Sequence, residues 1–505
     1  MKHSKTKLHS AIGRALCGAL LAMTSCASVQ AAGAPAAPAV VAAPAPVPGK
    51  GLAGSWLGRL TMGNSGIALR LALEVTETAG KLTAILDSID QNAKIPVTTI
   101  SVNANEVQFE CASIRGSFKG SFSGDGTEIA GTWSQSGASP PLTFKRQSQP
   151  FALKRPQQPA KPYPYREEEL TFRNPAAGIT LAGTLTLPNG RGPFPAVVLM
   201  SGSGPQDRDE ALLGHKPFLI LADQLTRAGI AVLRYDDRGV GKSTGNFSTA
   251  THLDFAADGR AAFEYMKSRP EINSQKVGLL GHSEGSVYVP FVMRESKDVA
   301  FVVMLAGVGV PMRELLQQQA RDIASTSAVK FERTPALEAI DDEIYARLAT
   351  GKSDAELLAF VRGKVKESMA LYPEDLKKGM GWSDVTIEGY VRMLVSPWFM
   401  LLSQYDPRKT LSAVKCPVLA LFGSKDTQVA AAPNSAGMKA AFDAGGNRDV
   451  TMKTFPDLNH LFQHSKSGAP AEYSSIEETM SPEVTALISK WITLRELRSE
   501  LEPEQ

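Results

Sequence analysis

Val277-Gly278-Leu279-Leu280-Gly281-His282-Ser283-Glu284-Gly285 decides the fold, because an apolar run that reads as a buried parallel strand leads straight into a Gly-x-Ser-x-Gly turn. A sharp strand-to-helix turn lifts a serine oxygen clear of the backbone, and flanking glycines let neighbouring chain approach where a Cβ would clash. The helix that follows aims its N-terminal dipole and free N–H groups at the same point. Such an elbow belongs between parallel strands, so the flanking sequence tests it.

Outward from the elbow, apolar runs at 196–200, 230–235, 301–305, 418–422 and 450–455 read as further buried strands, with antiparallel lead-in strands at 168–172 and 179–187. Helical periodicity fills the gaps, as at 216–227 and 254–268. This alternation predicts an α/β fold, a doubly wound and mostly parallel sheet with ligands at the carboxyl ends of its strands. One long interval, 307–410, interrupts it with helical stretches at 312–325, 335–350, 354–371 and 386–394. An insertion of that size is most simply a lid over the strand ends. Trp382, Trp398, Phe399, Met393 and Met400 either line an apolar pocket there or pack the lid down; an amphipathic lid must bury one face, so packing is expected for most of them.

Upstream the character changes. Residues 51–146 carry short alternating runs, such as Glu106-Val107-Gln108-Phe109-Glu110, between turn signals such as Gly124-Asp125-Gly126-Thr127, and predict a small all-β barrel or sandwich. Gly-x-Trp occurs near both its ends, at Trp56 and Trp133. It resembles an element of lipocalin-type barrels and could frame an interior for an apolar ligand, but large aromatics dominate small cores and packing is the expectation. Residues 147–165, rich in Pro, Gln and Lys, read as a linker, and the Ala/Pro-rich 33–50 as a tether.

Residues 1–32 have the makings of a secretory signal peptide: Lys2, Lys5 and Lys7, an apolar run at 11–23 too short to span a bilayer, and small residues around Ala31 and Ala32. Met23-Thr24-Ser25-Cys26 is an alternative, a lipoprotein box with Met where Leu is usual, which would anchor lipid at Cys26; the peptidase site is favoured over it. Export to a bacterial periplasm or the extracellular space is the expectation. Beyond the leader only Cys111 and Cys416 remain, in different expected domains, each read as a small buried hydrophobe rather than a disulfide partner or metal ligand.

The chain has 505 residues and a formal charge of +3, with Lys and Arg spread rather than clustered, which argues against nucleic acid as a partner. Gly239-Val240-Gly241-Lys242-Ser243 ends like a phosphate loop but lacks the first glycine at the required spacing. No spacing of His or carboxylates suggests a metal, so neither cofactor nor metal is expected.

A serine hydroxyl needs a base within hydrogen-bond reach, itself oriented by a carboxylate. Asp426 follows the strand at 418–422 and His460 follows the strand at 450–455, giving the chain order Ser283, Asp426, His460. His464 is a rival base four residues on, and His282, beside the serine, should point away from its oxygen. Of the rival acids, Asp457 is too close to His460 along one loop and Asp406 falls inside the lid. Asp236, Asp237 and Arg238 read as an ion-paired structural turn.

On Gly281-His282-Ser283-Glu284-Gly285, the run 234–243, Phe422-Gly423-Ser424-Lys425-Asp426 and Asn459-His460, the sequence from about 166 onward resembles the α/β-hydrolase superfamily, in its serine esterase and serine aminopeptidase-like branch. The resemblance implies a triad of Ser283, Asp426 and His460. A tetrahedral alkoxide also needs preorganised donors. The Glu284 N–H is one by its position after the nucleophile. The resemblance implies the Ser203 N–H as the other, with Gly204 second; the family usually has His where this chain has Ser201, so the bonding inside that loop must differ. The expected activity is a serine hydrolase acting on a small-molecule ester or acyl substrate, with peptidase or thioesterase as alternatives on one scaffold. From another class, a binding protein with an inert hydrolase half stands against the intact triad. Dehalogenases and epoxide hydrolases would want an acid at 283.

Overall fold

The computed structural model describes residues 51–61, 68–89, 93–135, 139–151, 154–327, 331–352, 354–379 and 384–501. The expected leader and tether, Cys26 and Trp382 lie outside the described residues. The chain forms two compact units, one of the described residues up to Lys154 with Tyr372–Thr386, the other of Arg155–Leu371 and the chain from Ile387 on.

In the first unit nine strands make one antiparallel sheet: β1 (Gly54–Thr61), β2 (Ala68–Thr78), β3 (Lys81–Ser88), β4 (Ala93–Pro96), β5 (Thr99–Asn103), β6 (Glu106–Cys111), β7 (Gly116–Phe122), β8 (Glu128–Gln135) and β9 (Pro141–Gln147). Its order, β4-β3-β2-β1-β9-β8-β7-β6-β5, is that of an up-and-down meander with β1 bonded to both β2 and β9. The two edge strands, β4 and β5, are consecutive in sequence, and the residues joining them are tied to both sides: Val97 N–H donates to Ala84 O in β3 and Thr98 N–H to Glu110 O in β6. One antiparallel sheet, with no ladder between its edge strands β4 and β5, makes a half-barrel, and the two packed sheets of a sandwich are not what the described strands form.

The interior of this half-barrel is filled. Alternate residues of β6 point inward, Val107, Phe109 and Cys111, and meet Trp56, Phe118, Trp133, Leu142 and Phe144 in one apolar cluster. Phe109 and Phe118 stack with ring centroids 5.1 Å apart, and Phe144 meets Phe118 edge-on at 5.4 Å. Space for these rings comes from glycine: a Cβ on Gly116 would lie 2.3 Å from the Trp133 ring, and one on Gly58 2.9 Å from Phe144. The tryptophans therefore close a core.

The second unit is an eight-stranded sheet of β10 (Arg166–Asn174), β11 (Ile179–Leu187), β12 (Phe194–Met200), β13 (Ala231–Tyr235), β14 (Ile272–His282), β15 (Val302–Leu305), β16 (Val418–Gly423) and β17 (Val450–Phe455). In the order β10-β11-β13-β12-β14-β15-β16-β17, β11 is antiparallel to both neighbours and the pairings from β13 to β17 are parallel. The central strands are buried on both faces, as helical crossovers require, and apolar but for Arg234 of β13, which is buried against Asp209. Helices α1 (Pro217–Arg227), α2 (His252–Lys267) and α3 (Gly285–Glu295) supply the first crossovers. The fold is the α/β-hydrolase fold.

Between β15 and β16 lie α4 (Met312–Thr326), α5 (Pro335–Leu348), α6 (Ala355–Ala370), α7 (Glu374–Gly379), α8 (Asp384–Leu394), α9 (Pro397–Leu402) and α10 (Pro407–Ser412), four of them within two residues of the stretches expected from periodicity. Phe399 and Met400 are buried. After β16 come α11 (Ala431–Gly445) and, past β17, α12 (Pro482–Leu501). Residues 155–158 dock on the second unit: the Arg155 guanidinium donates to Ile476 O and Leu213 O, and the Gln157 amide to Met480 O.

Candidate active site

Ser283 sits at the end of β14 with φ +53°, a left-handed conformation that a serine holds only where its surroundings impose it. The surroundings are explicit. A Cβ on Gly281 would lie 2.4 Å from Gly285 O, and one on Gly285 2.1 Å from Met200 O at the end of β12, so strand, turn and helix meet with no room for side chains. Ser283 N–H donates to Leu305 O at 2.8 Å, pinning the turn to the end of β15.

The structure brings the three residues singled out in the sequence together. His460 Nε2 lies 3.0 Å from Ser283 Oγ, and His460 Nδ1 lies 2.8 Å from Asp426 Oδ2. The other oxygen of Asp426 accepts the Gln428 and Val429 N–H groups, both at 2.8 Å, so both carboxylate oxygens are engaged and the group is aimed. Asn459 shapes the histidine loop, its Oδ1 accepting from the N–H groups of Leu461 and Gln463, both at 3.0 Å. The acid and histidine loops touch across Gly423, where a Cβ would lie 2.3 Å from Leu458 O.

The rivals are occupied elsewhere. His464 is largely exposed and pairs with Glu478. Asp457 is exposed and bonds Lys425, while Asp406 caps α10 and bonds Arg408. His282 turns away from Ser283 Oγ towards Glu210. Asp236 is clamped by Arg208 and Arg238 by Asp254 and Asp258. Asp236 and Arg238 are ion-paired, as expected of the turn, whereas Asp237 departs from that expectation: its carboxyl bonds Ser201 and Gln206 instead of a cation.

The buried Asp237 answers the question of Ser201. Ser201 Oγ donates to Asp237 Oδ1 at 3.0 Å and Gln206 N–H to Asp237 Oδ2 at 2.9 Å, so a carboxyl from the end of β13 holds the loop after β12. Burial pushes this carboxyl well above its ordinary range, opposed by those two donors. Within that loop Gly202 N–H is committed to Glu210 Oε1 at 2.7 Å. A pocket opens beside Ser283, with Ser203 and Glu284 on its polar side and Met312, Leu315 and Leu402 from α4 and α9 on its apolar side.

The sequence missed two side chains. Glu210 reaches His282 from 72 residues upstream, too far for any local spacing to signal. Glu284, expected only for its backbone, also buries its carboxyl; burial pushes it up to about 7 against the hydrogen bonds from Trp398 and Tyr288. Trp398 Nε1–H donates to Glu284 Oε1 at 2.6 Å, a bond from α9 to the elbow. Trp398 thus ties the insertion to the site as well as packing beside Phe399.

A family model described as serine aminopeptidase, S33, matches residues 217–367. Among curated relatives, the esterase EstD of Thermotoga maritima is 27% identical over 313 residues, 62% of this chain and 64% of that protein. Acyl-coenzyme A thioesterase 1 of Homo sapiens is 30% identical over 135 residues, 27% of this chain and 29% of that protein. The matched stretches thus span less than two thirds of these relatives' lengths. Among solved structures, the esterase Pf2001 of Pyrococcus furiosus aligns over 66% of this chain and 92% of its own at 16% identity and a TM-score of 0.37. Est1E of Butyrivibrio proteoclasticus, solved with ferulic acid, aligns over 66% of this chain and 100% of its own at 15% identity and a TM-score of 0.38.

Proposed function

We propose that this chain, an α/β-hydrolase, cleaves a carboxylic ester by forming an acyl-enzyme on Ser283, with His460 as the base and Asp426 as the carboxylate that orients it. The relay carries this conclusion: Asp426 Oδ2 stands 2.8 Å from His460 Nδ1, and His460 Nε2 stands 3.0 Å from Ser283 Oγ. His460 takes the hydroxyl proton as Oγ attacks the ester carbonyl, and the imidazolium so formed is stabilised by Asp426. The N–H groups of Glu284 and Ser203 receive the developing oxyanion; both residues line the pocket beside Ser283. His460 then protonates the leaving alcohol, and water activated by the same ring releases the acid.

Likeness to EstD supports an ester, and likeness to a thioesterase supports acyl thioesters as a second substrate class, since the same acyl-enzyme forms from either. A side-by-side panel of p-nitrophenyl esters, acyl thioesters and aminoacyl anilides tests the order. Ester turnover well above the other two is expected; anilide turnover alone would make the chain a peptidase. Export through residues 1–32 is part of the proposal and rests on the sequence of that segment. Intact-mass analysis of the mature protein from a periplasmic fraction tests it, expecting a new N-terminus near Ala32, where a diacylated Cys26 would mean a lipid anchor instead.

A further inference from the structure

His282 has a catalytic serine for a neighbour and two acceptors for partners. Its Nδ1 lies 2.9 Å from Glu210 Oε1, and its Nε2 lies 3.1 Å from the backbone carbonyl oxygen of His460. A carbonyl oxygen can only accept, so Nε2 carries a proton. The same Glu210 oxygen already accepts the Gly202 N–H at 2.7 Å, the arrangement of a carboxylate receiving two donors, so Nδ1 carries a proton as well. Both His282 and Glu210 are buried, at 6% and 5% exposure. Glu210 is held at φ +50°, a conformation its neighbours must impose.

We infer that His282 stands as an imidazolium clamped between Glu210 and the His460 carbonyl, a positioning residue that locks three loops of the active site to one another. One ring joins the elbow to the histidine loop through Nε2, and through Nδ1 and Glu210 to the loop of Gly202 and Ser203. The serine, its base and one oxyanion donor then keep a common register, in a site where a displacement of about 1 Å costs on the order of a hundredfold in rate.

The charge also acts directly. The rings of His282 and His460 lie 5.0 Å apart between centroids. Around His282 stand Glu210 from the loop after β12, Asp426 from the loop after β16, and His460 with the uncharged Phe462 from the loop after β17. Asp237, from the end of β13, faces Glu210. Of these nearest groups Glu210 balances His282, so removing the cation alone leaves an uncompensated anion behind His460. Protonation of His460 then becomes easier, and the acid limb of kcat/KM moves to higher pH.

The test combines spectroscopy with kinetics and rests in part on the triad roles assigned above. With ring-labelled histidine, the two-bond 1H–15N spectrum assigned by difference with His282→Gln should show both His282 nitrogens at imidazolium positions at pH 8. A neutral-tautomer pattern there would overturn the inference, placing the proton on Glu210. This arm needs no turnover, so its outcome is separate from the fate of the triad. In the kinetic arm, H282Q is expected to lower kcat on the order of 10- to 100-fold and to raise the acid limb of kcat/KM by about one pH unit. The double variant E210Q/H282Q, which removes both charges, should return the limb to the wild-type position while kcat stays low. An acid limb unmoved in folded H282Q would contradict the charged form, and should that variant fold poorly, the wild-type spectrum decides, with the His282 ring assigned by through-bond correlation from its own backbone.

Discussion

The barrel and the candidate-site end of the mixed sheet are two buried interiors built on opposite chemistry. The barrel buries Trp56, Phe109, Phe118, Trp133 and Phe144 in a wholly apolar cluster. At the carboxyl ends of β12 to β17 the buried set includes Glu210, Asp237, His282, Glu284, Asp426 and His460. Burying apolar rings stabilises by about 1.5–3 kcal/mol each, whereas buried charge is costly unless paired and hydrogen-bonded. Asp426 has donors on both oxygens and His282 acceptors at both ring nitrogens. Costly polar burial with aimed partners marks the place where a fold does chemistry, and an apolar interior marks the place where it is merely held together.

Breaking the polar interior has the largest expected effect. Ser283→Ala should lower kcat on a p-nitrophenyl ester by at least about 10⁴-fold with the melting transition intact. Turnover near wild type would remove Ser283 from the chemistry. Asp426→Asn comes next, at about 10³- to 10⁴-fold, because the amide can no longer hold His460 in the tautomer that accepts the serine proton. A small loss would move the orienting carboxylate elsewhere.

The apolar interior breaks differently. Trp56→Ala should destabilise the barrel by about 3–5 kcal/mol, read by denaturant titration, and leave kcat on a small ester at the wild-type level while the barrel remains folded. A kcat that falls under those conditions would make the barrel part of the site. The smallest effect sharpens the contrast through pH. The Glu284 carboxyl ionises at about 7 in the folded protein against 4.5 ordinarily. The unfolded chain therefore releases this proton first, and stability falls as pH rises from about 4.5 to about 7, by at most about 3 kcal/mol. Glu284→Gln should flatten that part of the stability profile, measured by denaturant melts across pH; an unchanged slope would mean that the carboxyl is ionised throughout.

Sequence reading reached the parts of this molecule that depend on local pattern. The strand-turn-helix at Ser283 announces itself because sterics demand glycine at 281 and 285, and the alternating residues of β6 show period two in five letters. Asp426 and His460 could be found because each follows an apolar run that only a buried strand explains. Glu210 could not, since its partner lies 72 residues away and a lone glutamate in a loop resembles any solvated one. Nor could the side chain of Glu284, whose burial depends on Trp398, 114 residues further on. Long-range polar pairing leaves no periodicity in a single sequence, so the supports of a site stay hidden while its principal residues do not.

The identity of the nucleophile is the claim on which the rest depends. Intact and peptide mass spectrometry after treatment with a fluorophosphonate probe tests it most directly. A single adduct on the peptide containing Ser283, lost in Ser283→Ala and formed far more slowly in Asp426→Asn, is the expected result. Unmodified wild-type protein, or an adduct on a different serine, would contradict it.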